Sequence, residues 1–193
     1  EPYFRQNLLL SKDLSIFYGD RCVANGISLT LNRGDRIALV GRNGCGKSSL
    51  LKLLIGQPIA HTGTLEIGSR LTVSYVPQDM SFLSGSADDF AAESEIDITL
   101  FKTILRKLDF KRTQFTKDMS EFSMGQKKKV LLARSLCQRA NLYIWDEPLN
   151  YIDVISRLQI ETLILEYKPT MLFVEHDEAF VNDIATKVCR ISL

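Results

Sequence analysis

The 193-residue chain sets 24 Lys and Arg against 23 Asp and Glu, for a formal net charge of +1, and is 45% hydrophobic and 24% charged. These values fit one globular domain with a real core, and they exclude a broad basic footprint for nucleic acid or an anionic membrane. Cys22, Cys45, Cys137 and Cys189 form no CxxC or Cys/His pairing, so reduced thiols are expected rather than a disulfide framework or a zinc site.

No signal peptide opens the chain, and no apolar run reaches the length of a bilayer crossing. The expectation is a soluble, cytoplasmic protein. The chain begins Glu1-Pro2 rather than with Met and stops inside an expected strand, which reads as an excised piece of a longer protein.

The first third has strand character. Asn7–Tyr18, Cys22–Leu31 and Arg36–Val40 are separated by Gly19-Asp20 and Asn32-Arg33-Gly34-Asp35, both turn signals. A glycine-rich loop follows and leads into Lys47–Ile55, whose apolar residues fall at helical spacing. Thr64–Ile67 and Leu71–Val76 read as strands around Gly68.

Ser81–Glu95 has the least ordered pattern, rich in Ser, Asp and Ala. Ile98–Leu108 is expected to be helical, Lys111–Glu121 a second short helix, and Gly125–Arg139 a third. Strands at Leu142–Trp145, Thr170–Val174 and Lys187–Ile191 then alternate with helices at Ile152–Glu166 and Glu178–Ile184. Early antiparallel strands followed by strand–helix alternation predict an α/β core with a β-rich edge and a helical insertion at about 80–139.

Gly41-Arg42-Asn43-Gly44-Cys45-Gly46-Lys47-Ser48 is a complete GxxxxGK[ST] phosphate loop. Glycines let successive backbone N–H groups turn around phosphate oxygens without Cβ clashes. Lys47 supplies a point charge to the β- and γ-phosphates, and Ser48 a hydroxyl to Mg²⁺. The helix that follows presents its positive end to the same anion. Gly41, Asn43, Gly44, Cys45, Gly46, Lys47, Ser48 and Ser49 form the expected binding set.

Leu142-Tyr143-Ile144-Trp145 ends in Asp146-Glu147. Asp146 is placed at the strand's carboxyl edge, where it can hold Mg²⁺. Glu147 is expected to lie further toward the γ-phosphate and to orient or activate the attacking water.

With Phe122-Ser123-Met124-Gly125-Gln126, which resembles the LSGGQ signature and stands sixteen residues ahead of the Leu142 strand, the chain resembles an ABC-type ATPase. Met124 stands where the family has the first of paired glycines. The fold implied is an α/β P-loop NTPase of the ABC type, with a RecA-like parallel-sheet core, an antiparallel β edge and a helical insertion. Ser123, Gly125 and Gln126 are then the signature, which in the family binds the γ-phosphate of ATP held by the opposite domain. The resemblance makes Gln78 a Q-loop glutamine that senses Mg²⁺ and the water, and His176 a switch histidine that contacts the γ-phosphate. Tyr18 becomes the aromatic residue stacked on adenine, and Asp153 the D-loop aspartate that reaches across the dimer. His61 is left as an ordinary histidine.

The resemblance implies ATP and Mg²⁺ as ligands, and a second ABC domain, in the same parent chain or as a homodimer, as partner. Glu147, His176 and Gln78 would be catalytic, and Ser48, Gln78 and Asp146 would hold the metal. Residues 8–193 would form the ABC domain, and residues 1–7 the tail of a linker.

Pro148-Leu149-Asn150-Tyr151-Ile152-Asp153 is similar to the EPTNHLD run of ABC-F proteins, and Asp177-Glu178-Ala179-Phe180 to their HDRxFL segment. The likeness is greatest to the second ATPase domain of the antibiotic-resistance members, which implies the ribosome and ribosomal RNA as partners. A subunit of an ABC membrane transporter, with a transmembrane partner, is the alternative. For Lys127-Lys128-Lys129 two readings stand: a solvated basic turn, or attraction of nucleotide phosphates or ribosomal RNA.

Overall fold

The computed structural model describes residues 7–192. They fold as two compact units. The described residues up to Tyr75, with Ala140–Asp146 and the segment from Lys168 onward, make the first; Val76–Arg139 and Glu147–Tyr167 make the second.

The first unit holds both sheets. Strands β1 (Asn7–Tyr18), β2 (Arg21–Asn32) and β4 (Ala60–Ile67) form an antiparallel sheet in the order β2-β1-β4. Leu9 and Ser11 of β1 and Ile27, Leu29 and Leu31 of β2 turn inward at the alternate spacing expected where one face meets the core. A register shift between Ser11 and Leu14 leads into consecutive buried residues Leu14, Ser15 and Ile16. Buried Ser11 is satisfied, since its hydroxyl donates to the Ile27 carbonyl at 3.1 Å and accepts from the Leu29 amide at 3.0 Å.

The second sheet joins β5 (Val73–Val76), β6 (Leu142–Asp146), β7 (Met171–Val174), β3 (Arg36–Val40) and β8 (Lys187–Arg190), in the order β5-β6-β7-β3-β8. The pairs β6–β7, β7–β3 and β3–β8 are parallel. The central strands are apolar runs, as strands covered on both faces must be. Helix α1 (Lys47–Leu54) buries Leu50, Leu51, Leu53 and Leu54 in the same core as Leu39, Ile144 and Leu172. This unit closes with α6 (Glu178–Ile184).

The second unit is helical: α2 (Ala87–Glu93), α3 (Ile98–Lys107), α4 (Met124–Cys137) and α5 (Val154–Tyr167). Ser156 of α5 donates to the Leu108 carbonyl at the end of α3, 2.9 Å away. The P-loop α/β fold, with its parallel core sheet and antiparallel sheet, is the one expected.

Two stretches differ from the sequence reading. Within 81–95 the chain forms α2, because Ser86 caps it, accepting from the Asp89 amide at 3.0 Å, and Ala87 and Ala91 are buried. Across 111–121, instead of one helix, there are two 3-10 turns, Arg112–Gln114 and Met119–Glu121. Gln114 and Asp118 accept from the amides of Lys111 and Ser120 at 2.8 Å each, so local side-chain bonds displace the helical ladder. Asn7 belongs to β1, paired with Asn32. The rest of the linker reading falls on residues 1–6, outside the described residues.

Candidate functional site

In the first unit, the parallel register decides what meets at the sheet edge. Leu39 of β3 and Asp146 of β6 are both paired with Val174 of β7. Thus β3 opens into the 41–48 loop, β7 into Glu175-His176, and β6 ends on Asp146, all at the carboxyl edge. That edge is where open α/β sheets bind ligands.

The loop turns at once, with the Cys45 amide donating to the Arg42 carbonyl at 3.2 Å. Gly46 precedes α1 at φ 85°, and a Cβ there would fall 2.5 Å from the Val23 carbonyl oxygen and 2.6 Å from the Ala24 Cβ. Only glycine meets both demands. Lys47 is buried, and its Nζ donates to the Gly41 and Arg42 carbonyls at 2.9 Å each. Asn43 and Gly44 are exposed at the tip, Cys45 is buried, and Ser48 and Ser49 are half-buried in the first turn of α1.

Asp146 is 1% exposed. Burial, and then the negative charge of Asp146, push the Tyr75 hydroxyl up to about 12. His176 is exposed, and its amide donates to Oε1 of buried Glu175 at 2.7 Å. A cavity of about 290 Å³ is lined by Gly41, Glu175, His176, Asn182 and Arg190 among others. Tyr18 ends β1 in the antiparallel sheet and is 48% exposed. His61 Nδ1 lies 3.0 Å from the Ile59 carbonyl oxygen.

In the second unit, Gln78 Nε2 donates to Glu147 Oε2 at 2.9 Å, and Asn150 Nδ2 donates to the same oxygen. Ser123 and Gln126 cap α4 reciprocally: the Ser123 hydroxyl accepts from the Gln126 amide at 3.2 Å, and Gln126 Oε1 accepts from the Ser123 amide at 2.9 Å. The Gln126 side chain therefore serves the helix end. A Cβ on Gly125 would lie 2.6 Å from the Tyr151 carbonyl oxygen. A second cavity of about 290 Å³ is bordered by Lys111, Ser123, Gly125, Gln126, Lys129 and Tyr151, with others.

Two lysines of the basic run depart from the solvated-turn reading. Lys128 is 1% exposed and donates to the Pro77 carbonyl at 3.2 Å. Lys129 is buried against Asp153, Nζ to Oδ2 at 2.6 Å. Asp153 also accepts from the Ser156 amide and hydroxyl at 2.9 Å each. Sequence reasoning gave no role to Glu175 or Asn150. The signals were the position of Glu175 after a buried strand, and for Asn150 its place in the Pro148–Asp153 run, three residues beyond a carboxylate.

No group of three or more His, Cys, Asp or Glu side chains able to hold a metal ion occurs among the described residues. One buried carboxylate and one hydroxyl still suit Mg²⁺, which completes its shell with phosphate oxygens and water. Among the described residues no helix is long and apolar enough to cross a membrane.

A glycine loop opening a helix from a buried parallel strand, with a carboxylate ending a strand of the same sheet, defines a phosphate-loop nucleotide-binding domain. A family model described as ABC transporter matches residues 24–150. The chain belongs to this family, whose members hydrolyse ATP and whose ATPase domains work as pairs.

Among curated proteins it is 36% identical over 193 residues to YdiF of Bacillus subtilis (strain 168), covering 96% of this chain and 30% of that one. It is 31% identical to the ATP-binding protein Uup of Caulobacter vibrioides, covering 91% and 30%. To ABC transporter F family member 2 of Arabidopsis thaliana it is 29% identical, covering 96% and 28%. The chain thus spans about three-tenths of the length of these relatives. Among solved structures, an ATP-binding subunit of an ABC transporter matches with a TM-score of 0.81 at 23% identity, over 96% of this chain and 88% of that one. An archaeal ribosome recycling factor, aABCE1, solved in complex with the ribosomal stalk protein aP1, matches with a TM-score of 0.77 at 26% identity, over 98% and 38%.

Proposed function

We propose that the chain binds ATP with Mg²⁺ and hydrolyses it as one ABC domain of a longer, ABC-F-type protein that acts on the ribosome in antibiotic resistance. The observation that carries the ATP reading is Lys47, buried in a glycine loop that leaves β3 at the same sheet edge where β6 ends on Asp146. Backbone amides of 41–48 and the Lys47 ammonium bind the phosphate tail, and Tyr18 stacks on the base. Ser48, Asp146 and Gln78 hold Mg²⁺, which supplies charge neutralisation at the phosphates.

Glu147, one residue beyond Asp146, orients the water that attacks the γ-phosphorus, with His176 contacting the γ-phosphate. The bond from that phosphorus to the ADP oxygen breaks, and phosphate leaves. The signature of a partner domain, equivalent to Ser123, Gly125 and Gln126 here, completes the site by covering the γ-phosphate. Hydrolysis then releases the tie between domains.

The relatives named Uup and ABC transporter F support the ABC-F reading, as does the run Pro148–Asp153. The match to a ribosome recycling factor supports a ribosomal task. The transporter-subunit reading has the higher TM-score behind it, but at 23% identity that match speaks for the fold alone.

The test is ATP turnover against protein concentration, alongside Glu147→Gln. The isolated chain is expected to bind ATP and turn it over slowly, with a rate per molecule that rises with concentration. Glu147→Gln is expected to keep binding and lose turnover. Brisk turnover independent of concentration contradicts the paired site. Co-sedimentation of the parent protein with ribosomes, compared with its recovery in membranes, separates the two cellular readings.

A further inference from the structure

The four-residue turn after β6 is built around one carboxylate. Glu147 adopts φ 50° and Tyr151 φ 66°, left-handed conformations that non-glycine residues rarely take. Between them the Asn150 amide donates to the Glu147 carbonyl at 3.3 Å, and the Ile152 amide to the Leu149 carbonyl at 3.0 Å. This curl carries the Asn150 side chain back over the residue three positions earlier, where Nδ2 donates to Glu147 Oε2. Gln78 Nε2 reaches that same oxygen from a segment 69 residues away in sequence, at 2.9 Å. Two amide donors thus converge on one oxygen of one carboxylate. Two directed bonds to an acceptor fix the carboxylate plane as well as its position.

We propose that Asn150 is a positioning residue that sets the orientation of the Glu147 carboxylate for ATP hydrolysis, jointly with Gln78. This rests on the reading of Glu147 as the group that orients water. Its content is separate: Asn150 acts through Glu147 and touches no substrate. Asn150 is itself exposed, so its replacement leaves the core intact, and the curl gives its side-chain amide a local bond to Glu147.

The experiment compares Asn150→Asp, Asn150→Ala and Asn150→Ser in the full chain, reading kcat, KM and thermal midpoint, with ATP affinity by calorimetry. Asn150→Asp keeps the shape, removes the donor and sets a like charge against Glu147. It is expected to lower kcat on the order of tenfold to a hundredfold, the cost of a misplaced reacting group, with KM and ATP affinity unchanged. Asn150→Ala is expected to fall less far, and Asn150→Ser, which keeps a short donor, to recover part of the loss. Combined with Gln78→Ala, the losses are expected to be non-additive, since both groups act on one oxygen.

A kcat equal to the parent's in Asn150→Asp overturns the proposal. So does a loss of kcat accompanied by an equal loss of ATP binding or a fall in the thermal midpoint, which marks a structural residue. Glu147→Gln keeps the two ideas apart. If Glu147→Gln hydrolyses like the parent, the role of Glu147 fails; if it is inactive while Asn150→Asp is normal, only the role of Asn150 fails.

Discussion

Lys129 Nζ lies 2.6 Å from Asp153 Oδ2, which ties the first turns of α4 to the turn leading into α5. Partial burial pushes the Asp153 carboxyl upward. The hydrogen bond from Lys129, the two from Ser156 and the Lys129 charge outweigh that and bring it down to about 2, from an ordinary value of 3.8. A carboxyl held below its unfolded value adds stability that is fully present above the unfolded value and lost as pH falls through the folded one. The Asp153 side chain is 45% exposed, so solvent screening keeps the contribution small. Urea midpoints of the parent and Asp153→Asn are expected to differ above the ordinary value of 3.8 and to converge toward about 2. A gap that widens on acidification contradicts this assignment.

Gly125 is a packing requirement. An added Cβ would sit 2.6 Å from the Tyr151 carbonyl oxygen, a backbone atom that cannot swing aside. Gly125→Ala is expected to cost about 1–3 kcal/mol, the range for overpacking. Denaturant unfolding of the purified variant measures it, and a midpoint equal to the parent's would show that the approach relaxes freely.

Lys47 links the carbonyls of Gly41 and Arg42 through one ammonium group. Its replacement removes charge-assisted bonds to phosphate, each worth about 1.5–3 kcal/mol. Lys47→Ala is expected to weaken Mg-ATP binding on the order of a hundredfold by calorimetry, given about 1.4 kcal/mol per tenfold. Unchanged affinity would remove the central support for nucleotide binding.

Lys128 is buried as deeply as the apolar core. Lys128→Ala is expected to destabilise the chain by about 2–4 kcal/mol, as truncations at buried positions do. Lys128→Met, close in volume, is expected to recover much of that loss. Equal urea midpoints for parent and Lys128→Ala would contradict the burial.

Much of the site was legible because its parts are local. The spacing of Gly41, Gly44, Gly46 and Lys47 states what the backbone must do over eight consecutive residues, and the apolar runs of β3 and β6 mark strands buried inside the sheet. What escaped was held by distant or atypical contacts. Lysines read as solvated, yet Lys128 is buried against a carbonyl 51 positions away in sequence. Only small apolar residues, Ala87 and Ala91, are buried in α2, so its polar sequence resembles a loop.

Outside 81–95 and 111–121, the sequence by itself determined the order of strands and helices, and with it the phosphate loop and the carboxylate pair, because side-chain period and backbone sterics act between near neighbours. Tertiary structure alone decided that Val174 aligns Leu39 with Asp146, that Asp153 pairs with Lys129, and that Gln78 meets Glu147. Those contacts join residues far apart in the chain, and only register and packing select among the partners a polar side chain could take.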